Sequence, residues 1–316
     1  MMRQLVAVLL LVFSAAAQTE PTAPSAPPAA PAAMVFEGKP LKVPVSCTEE
    51  DIQSLGMSCS TDSPCPVYLE LSGLEVLGAR MNLAGNLHTD SATLSSIVLT
   101  SDDSGRTWTE SHPRIRQVAL DQMQFADLAT GWISGQVIAS LPRDPFFLVT
   151  NDGGKTWRQR AVFSDPHLGS IEKFHFTSAN EGRVLVDRAQ SGEGGRYALL
   201  ESKTGGDSWS IQQITTAPPP VKFDRAPSVA WRLHANGATK AHQVERREGG
   251  KWTTVAAFQV QAGACAPAEI ELAPPPEPSA APAAAGADPA HSDAVEVFQI
   301  GGGKPAKKPD PKKKKR

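Results

Sequence analysis

Thr150-Asn151-Asp152-Gly153-Gly154-Lys155-Thr156-Trp157 is the stretch on which the fold turns. It follows the strand-forming run Phe146-Phe147-Leu148-Val149 and leads into another, so it reads as the corner of a hairpin. The residue types suit a tight corner: the Asp152 carboxylate accepts hydrogen bonds from turn amides, and Gly154 takes the positive φ that a β-carbon resists. Trp157 then offers a large ring to pack against a neighbouring sheet.

The corner recurs as Ser101-Asp102-Asp103-Ser104-Gly105-Arg106-Thr107-Trp108, as Ser202-Lys203-Thr204-Gly205-Gly206-Asp207-Ser208-Trp209, and in worn form as Arg247-Glu248-Gly249-Gly250-Lys251-Trp252. The tryptophans are 49, 52 and 43 residues apart, and such a period marks solenoid or propeller blades. A second element keeps phase upstream of the corners: Phe125 to Trp132 and Phe176 to Arg183 each take a strand through a short polar loop into a strand beginning at Gly. Four short antiparallel strands per repeat is the pattern of a propeller blade. The sequence therefore predicts an all-β propeller of about four four-stranded blades, near residues 67–112, 116–163, 168–215 and 225–262. Ring closure stays open between four blades, a fifth built from Met34 to Val45 and Ala294 to Ile300, and an unclosed arc. The residues expected to hold the corners are Ser101, Asp103, Gly105 and Trp108; Thr150, Asp152, Gly154 and Trp157; Ser202, Gly206 and Trp209; and Gly250 and Trp252.

The pattern Ser/Thr-x-Asp-x-Gly-x-Thr-Trp resembles the Asp-box of the bacterial neuraminidase repeat, shared by sialidases, sortilin-like receptors and photosystem II stability/assembly factor-like proteins. The pairing of Phe125-to-Trp132 with Asp152-to-Trp157 looks most like the last group, over residues 67 to 262. The resemblance implies a propeller and, for the assembly factors, a protein-binding role during complex biogenesis. The motif stabilises a turn and does not itself act on a substrate.

The flanks read as export and spacer segments. Met1-Met2-Arg3, an apolar run from Leu5 to Phe13 and Ser14-Ala15-Ala16-Ala17 form a signal peptide over 1–17, which implies a periplasmic or secreted protein. Residues 18–33 are a Pro/Ala-rich spacer, 34–66 a cysteine-containing extension, 67–265 the propeller, and 266–316 a Pro/Ala-rich and Lys-rich tail. Four cysteines, Cys47, Cys59, Cys65 and Cys265, suggest disulfides in three possible connectivities. A bridge from the leading three to Cys265 would tie the two ends of the repeat array. The net charge of -2 hides a cationic tail, Lys304 to Arg316, on an acidic body. That tail is either a solvated arm or a contact to an anionic surface; nucleic acid is not expected of an exported acidic body.

A sialidase-like hydrolase needs an arginine cluster, a tyrosine nucleophile and carboxylates on inner strand ends. The chain offers Tyr68 and Tyr197 alone, and no zinc-protease, serine-hydrolase or phosphate-loop motif. The histidines His167, His175, His234 and His242 are scattered, so neither a metal nor a cofactor is expected. The reading is a non-catalytic, protein-binding propeller, an assembly or stability factor for an envelope or membrane complex. The alternatives are a glycan-binding or glycoside-hydrolysing propeller and an envelope scaffold attached by its tail. Binding is expected on the loops Asn86 to Thr93, Ser134 to Asp144 and Gln190 to Arg196.

Overall fold

The computed structural model describes residues 32–188, 194–223, 228 and 230–267. The expected signal peptide, most of the first spacer, the strand-like 294–300 and the Lys-rich tail lie outside them. The described chain enters through β1 (Met34–Val35) and a short helix α1 (Glu49–Ser54), whose first turn is closed by Thr48 and Asp51 in a reciprocal capping box. Three four-stranded units follow: β2 (Cys65–Leu77), β3 (Arg80–His88), β4 (Thr93–Ser101) and β5 (Thr107–Glu110); β6 (Val118–Phe125), β7 (Gly131–Ile138), β8 (Pro142–Thr150) and β9 (Arg158–Ala161); β10 (Ser170–Phe176), β11 (Gly182–Asp187), β12 (Tyr197–Ser202) and β13 (Ser210–Thr215). Within each unit, successive strands pair antiparallel in chain order. The fourth unit has three strands of its own, β14 (Trp231–Asn236), β15 (Ala241–Glu248) and β16 (Lys251–Gln259), and β17 (Gln261–Cys265) crosses back to pair with β2. This is an all-β propeller of four blades.

Residues 34–45 build no fifth blade and lace two existing ones instead. β1 pairs antiparallel with β5 at the outer edge of the first blade. Leu41 then bridges Phe258 in parallel, its N–H donating to the Ala257 carbonyl at 2.7 Å and its carbonyl accepting from the Gln259 N–H at 2.8 Å. The strap ends in the disulfide Cys47–Cys265, and a second disulfide joins Cys59 to Cys65. Both disulfides fit an oxidising compartment. No helix of the described residues is long and apolar enough to cross a membrane.

Burial follows from stacking. Middle strands such as β3 and β4 are buried on both faces because a blade lies on each side, whereas the outermost β9 and β13 are mostly exposed. Three apolar cores fill the interfaces: Trp108, Leu83 and Phe258 join the first blade to the fourth, Ile133, Phe146 and Val98 join the second to the first, and Trp132, Phe176 and Leu200 join the third to the second.

Candidate functional site: the central cavity

The corners set the blade spacing. In the first, the Ser101 hydroxyl donates to Asp103 Oδ1 at 2.8 Å and accepts from the Gly105 N–H at 2.9 Å, while Asp103 Oδ1 also accepts from the N–H groups of Arg106 and Thr107. Thr150 and Asp152 repeat this, with the Thr156 N–H and hydroxyl both donating to the carboxylate. Partial burial pushes the Asp152 carboxyl up, but the donors from Thr156, Thr150 and Lys155 outweigh it and hold the group at about 2. Asp103 is lowered in the same way, burial being outweighed by the bonds from Thr107, Ser101 and Arg106. In the third corner Thr204 stands where the others have Asp; its hydroxyl oxygen accepts from the Ser208 N–H at 2.9 Å, and Ser202 still accepts from the Gly206 N–H. These two carboxylates are therefore committed to their own turns.

Each of these corners leans on the preceding blade. Trp108 meets Phe258 of the fourth blade edge-on at 5.3 Å, Trp157 packs in the core shared with the first, and Trp209 stacks on Phe147 of the second at 5.5 Å. The fourth corner departs from the expectation. Gly250 belongs to a two-residue turn, Gly249–Gly250, with φ of 54° and 83°, and Trp252 lies already in β16. The turn lacks the hydroxyl and carboxylate that build the longer corner, and Trp252 lies half-buried with the Arg232 guanidinium 4.3 Å from its ring centroid. Among the described residues, no apolar core joins the fourth blade to the third.

Buried side chains tie the inner strands of successive blades together. The Leu120 N–H donates to Asn86 Oδ1 at 2.7 Å, and Asn86 Nδ2 returns a bond to the Leu120 carbonyl at 2.9 Å. Gln124 grips the main chain of Phe176 likewise, at 2.9 and 2.7 Å. His242 Nε2 lies 2.8 Å from the Leu69 carbonyl and ties the fourth blade to β2.

These strands enclose a cavity of about 690 Å³. Its floor is set by a repeated backbone feature. The register slips between Leu71 and Gly73 in β2, between Leu120 and Met123 in β6, and between Ile171 and Lys173 in β10. Such bulges re-aim side chains and are concentrated near functional sites. Ser72, Gln122 and Glu172 lie within them, 50 residues apart, and all three line the cavity. Ser72 Oγ donates to the Leu120 carbonyl at 2.9 Å, and Gln122 Nε2 to the Glu172 carbonyl at 2.9 Å, so each reaches the bulge of the next blade. Lys173, Met123 and Phe174 join them, and Phe223, Trp231 and Arg232 close the fourth side. Arg232 is held by Glu245 at 2.6 Å. The result is an open cleft lined as much by polar and charged side chains as by apolar ones, of a size that takes a short segment or small molecule.

The expected binding loops lie elsewhere. Asn86 to Thr93 and Ser134 to Asp144 approach each other around a second cavity of about 640 Å³ that also touches Ser54 and Leu55 after α1. Of Gln190 to Arg196, the first four residues lie outside the described chain. Neither Tyr68 nor Tyr197 lines the central cavity: Tyr68 packs on His88, and Tyr197 lies under Arg196. Arg114 and Arg116 are paired with Glu110 and with Asp51 and Glu50.

No family model and no curated protein matches the chain. Among solved structures it is similar to YCF48 bound to a D1 peptide, at 16% identity and TM-score 0.34, over 62% of this chain and 60% of that one. It is also similar to the Penicillium chrysogenum α-L-arabinanase complexed with arabinobiose, at 12% identity and TM-score 0.34, over 66% and 67% of the two chains. A third is a polysaccharide lyase, ulvan lyase, at 10% identity and TM-score 0.35, over 71% and 57%. The match spans less than two thirds of the YCF48 and ulvan lyase chains. Strand order and corner bonding define the class here: the chain is a four-bladed β-propeller with Asp-box corners.

Proposed function

We propose that the chain is an exported, non-catalytic binding propeller that holds a segment of a protein partner, another envelope or membrane protein, in its central cavity. The observation that carries this reading is the row of bulges that turns Ser72, Gln122 and Glu172 into one cleft. Three blades spend regular strand pairing to aim side chains of different chemistry at a shared space. Support also comes from the corner carboxylates Asp103 and Asp152, which are saturated by their own amides.

A photo-crosslinking residue placed at Gln122 in the mature chain tests it. One envelope protein should be captured, and capture should fall at least tenfold when the exposed Glu172 and Lys173 are reversed to Lys and Glu. Undiminished capture in that variant overturns the cavity as the site. The placement of Trp231 and Phe223 on the cavity wall favours a second reading, a glycan stacked on aromatic rings. Retention on an immobilised polysaccharide, or release of reducing sugar, would replace the protein-binding reading with that one.

A further inference from the structure

One cross-strand pair recurs just before the corner of each complete blade: Asn82 with Thr100, Trp132 with Val149, and Arg183 with Glu201. The first pair is buried under the second corner, where Arg80 Nη1 and Asn82 Nδ2 donate to the Gly153 carbonyl and a β-carbon at Gly154 would collide with Asn82. The second pair is buried under the third corner, where Trp132 Nε1 donates to the Gly205 carbonyl at 2.8 Å. The third pair stands open. Arg183 and Glu201 bond each other at 2.7 Å with their side chains 57% and 29% exposed. The turn in the place of a fourth corner is Gly249–Gly250, where an added β-carbon would meet nothing within 4 Å.

The same side of the third blade stays polar further in. Leu185 and Leu199 face each other across β11 and β12, on the side away from Val184 and Leu200 of the core with the second blade. Both are buried, yet neither belongs to an apolar core among the described residues. A polar cavity of about 350 Å³ lies on this side, lined by His175, Arg183, Glu201, Lys203 and Lys222. The Nδ1 atom of His175 is buried there without a hydrogen-bond partner. Phe223 lines both this cavity and the central one. The fourth blade is fastened firmly on its other side: β17 pairs with β2, Leu41 bridges β16, Cys47 is bonded to Cys265, and Phe258 packs on Trp108.

We propose that the ring opens at the seam between the third and fourth blades, with the fourth blade moving as one body with the first. Separating either of the other seams that follow chain order would carry packed tryptophan and phenylalanine rings into water, which the hydrophobic effect opposes. At the third-to-fourth seam water already reaches the Arg183–Glu201 pair, so parting the blades there exposes little new apolar surface. Proteins open first where buried apolar contacts are fewest. The position of Phe223 puts this movement at the wall of the central cavity. The opening belongs to the ring itself and stands whether or not that cavity binds a protein.

The test uses the mature full chain with its native disulfides intact and no partner present, so its outcome is independent of the cavity crosslink. Leu199 and Val149 are matched in burial, 7% and 6% exposed, but Val149 lies in the core between the second and third blades. Under native conditions Leu199→Cys should react with a maleimide at least tenfold faster than Val149→Cys. A second measurement uses exposed positions that do not disturb the core. Spin labels on Gln213→Cys and Thr253→Cys, across the third-to-fourth seam, should give a broader distance distribution than labels on Thr109→Cys and Thr253→Cys, across the first-to-fourth seam. Equal or slower labelling at Leu199→Cys, or distributions equally narrow at the two seams, would overturn the proposal.

Discussion

Removing the Cys47–Cys265 bridge should cost more stability than any other covalent change in the chain. The bridge spans 218 residues, against 6 for Cys59–Cys65. Cross-linking lowers the entropy of the unfolded chain with the logarithm of loop length, giving about 5 kcal/mol for the long loop and about 2 kcal/mol for the short one at 25 °C. Native contacts across the same junction, Trp108 on Phe258 and β17 on β2, remain in either variant, so the folded state keeps its shape and the loss resides in the unfolded chain. In urea, with a slope of about 3 kcal/mol per molar, the Cys47→Ser/Cys265→Ser variant should unfold at a midpoint more than about 1 M below the parent. Cys59→Ser/Cys65→Ser should shift it by less than about 0.7 M. Tryptophan fluorescence under non-reducing conditions reads both. Equal midpoints for the two variants would refute the claim that the long bridge joins the ends of the array.

The corners give further tests. Asp152 sits at about 2 in the folded chain against an ordinary 3.8, so its contribution is present above about pH 4 and is lost as pH falls towards 2; Asp152→Asn should flatten that part of the melting-temperature profile. Thr204→Asp places a carboxylate where Ser202 and the Ser208 N–H already point, and should raise stability by about 1 kcal/mol in urea titration. Ser104 holds φ 61° where the second and third corners have Gly153 and Gly205, so Ser104→Gly should stabilise by about 0.5 kcal/mol, left-handed strain being relieved against added unfolded-state freedom. Gln124→Ala strands the buried N–H and carbonyl of Phe176 and should cost about 3 kcal/mol.

The blades were legible because each corner is local: hydroxyl, carboxylate, glycine and tryptophan lie within eight residues, and their chemistry can be read without knowing the rest of the fold. The strap was legible only in part. Residues 34–45 read as strand-like, but the edges they cover, at Trp108 and Phe258, are far away in sequence, and pairing over such distances leaves no local signal. The cavity was not legible at all. Ser72, Gln122 and Glu172 recur every 50 residues, yet they share no residue type, because the bulge is a backbone feature and each side chain answers to a different neighbour. The loop tips Asn86 to Thr93 and Ser134 to Asp144, legible as loops, line a separate cleft. Trp252 keeps its place in the period, but without the hydroxyl and carboxylate the turn shortens and the ring stays with Arg232 of its own blade.

Everything about the cavity presupposes that the first and fourth blades are neighbours, with the chain's ends joined between them. Peptide mapping of the non-reduced mature protein measures this most directly. The fragment containing Cys47 should be found linked to the fragment containing Cys265, with Cys59 and Cys65 linked to each other. Free thiols at both Cys47 and Cys265 would contradict the joining of the first and fourth blades at the chain's ends.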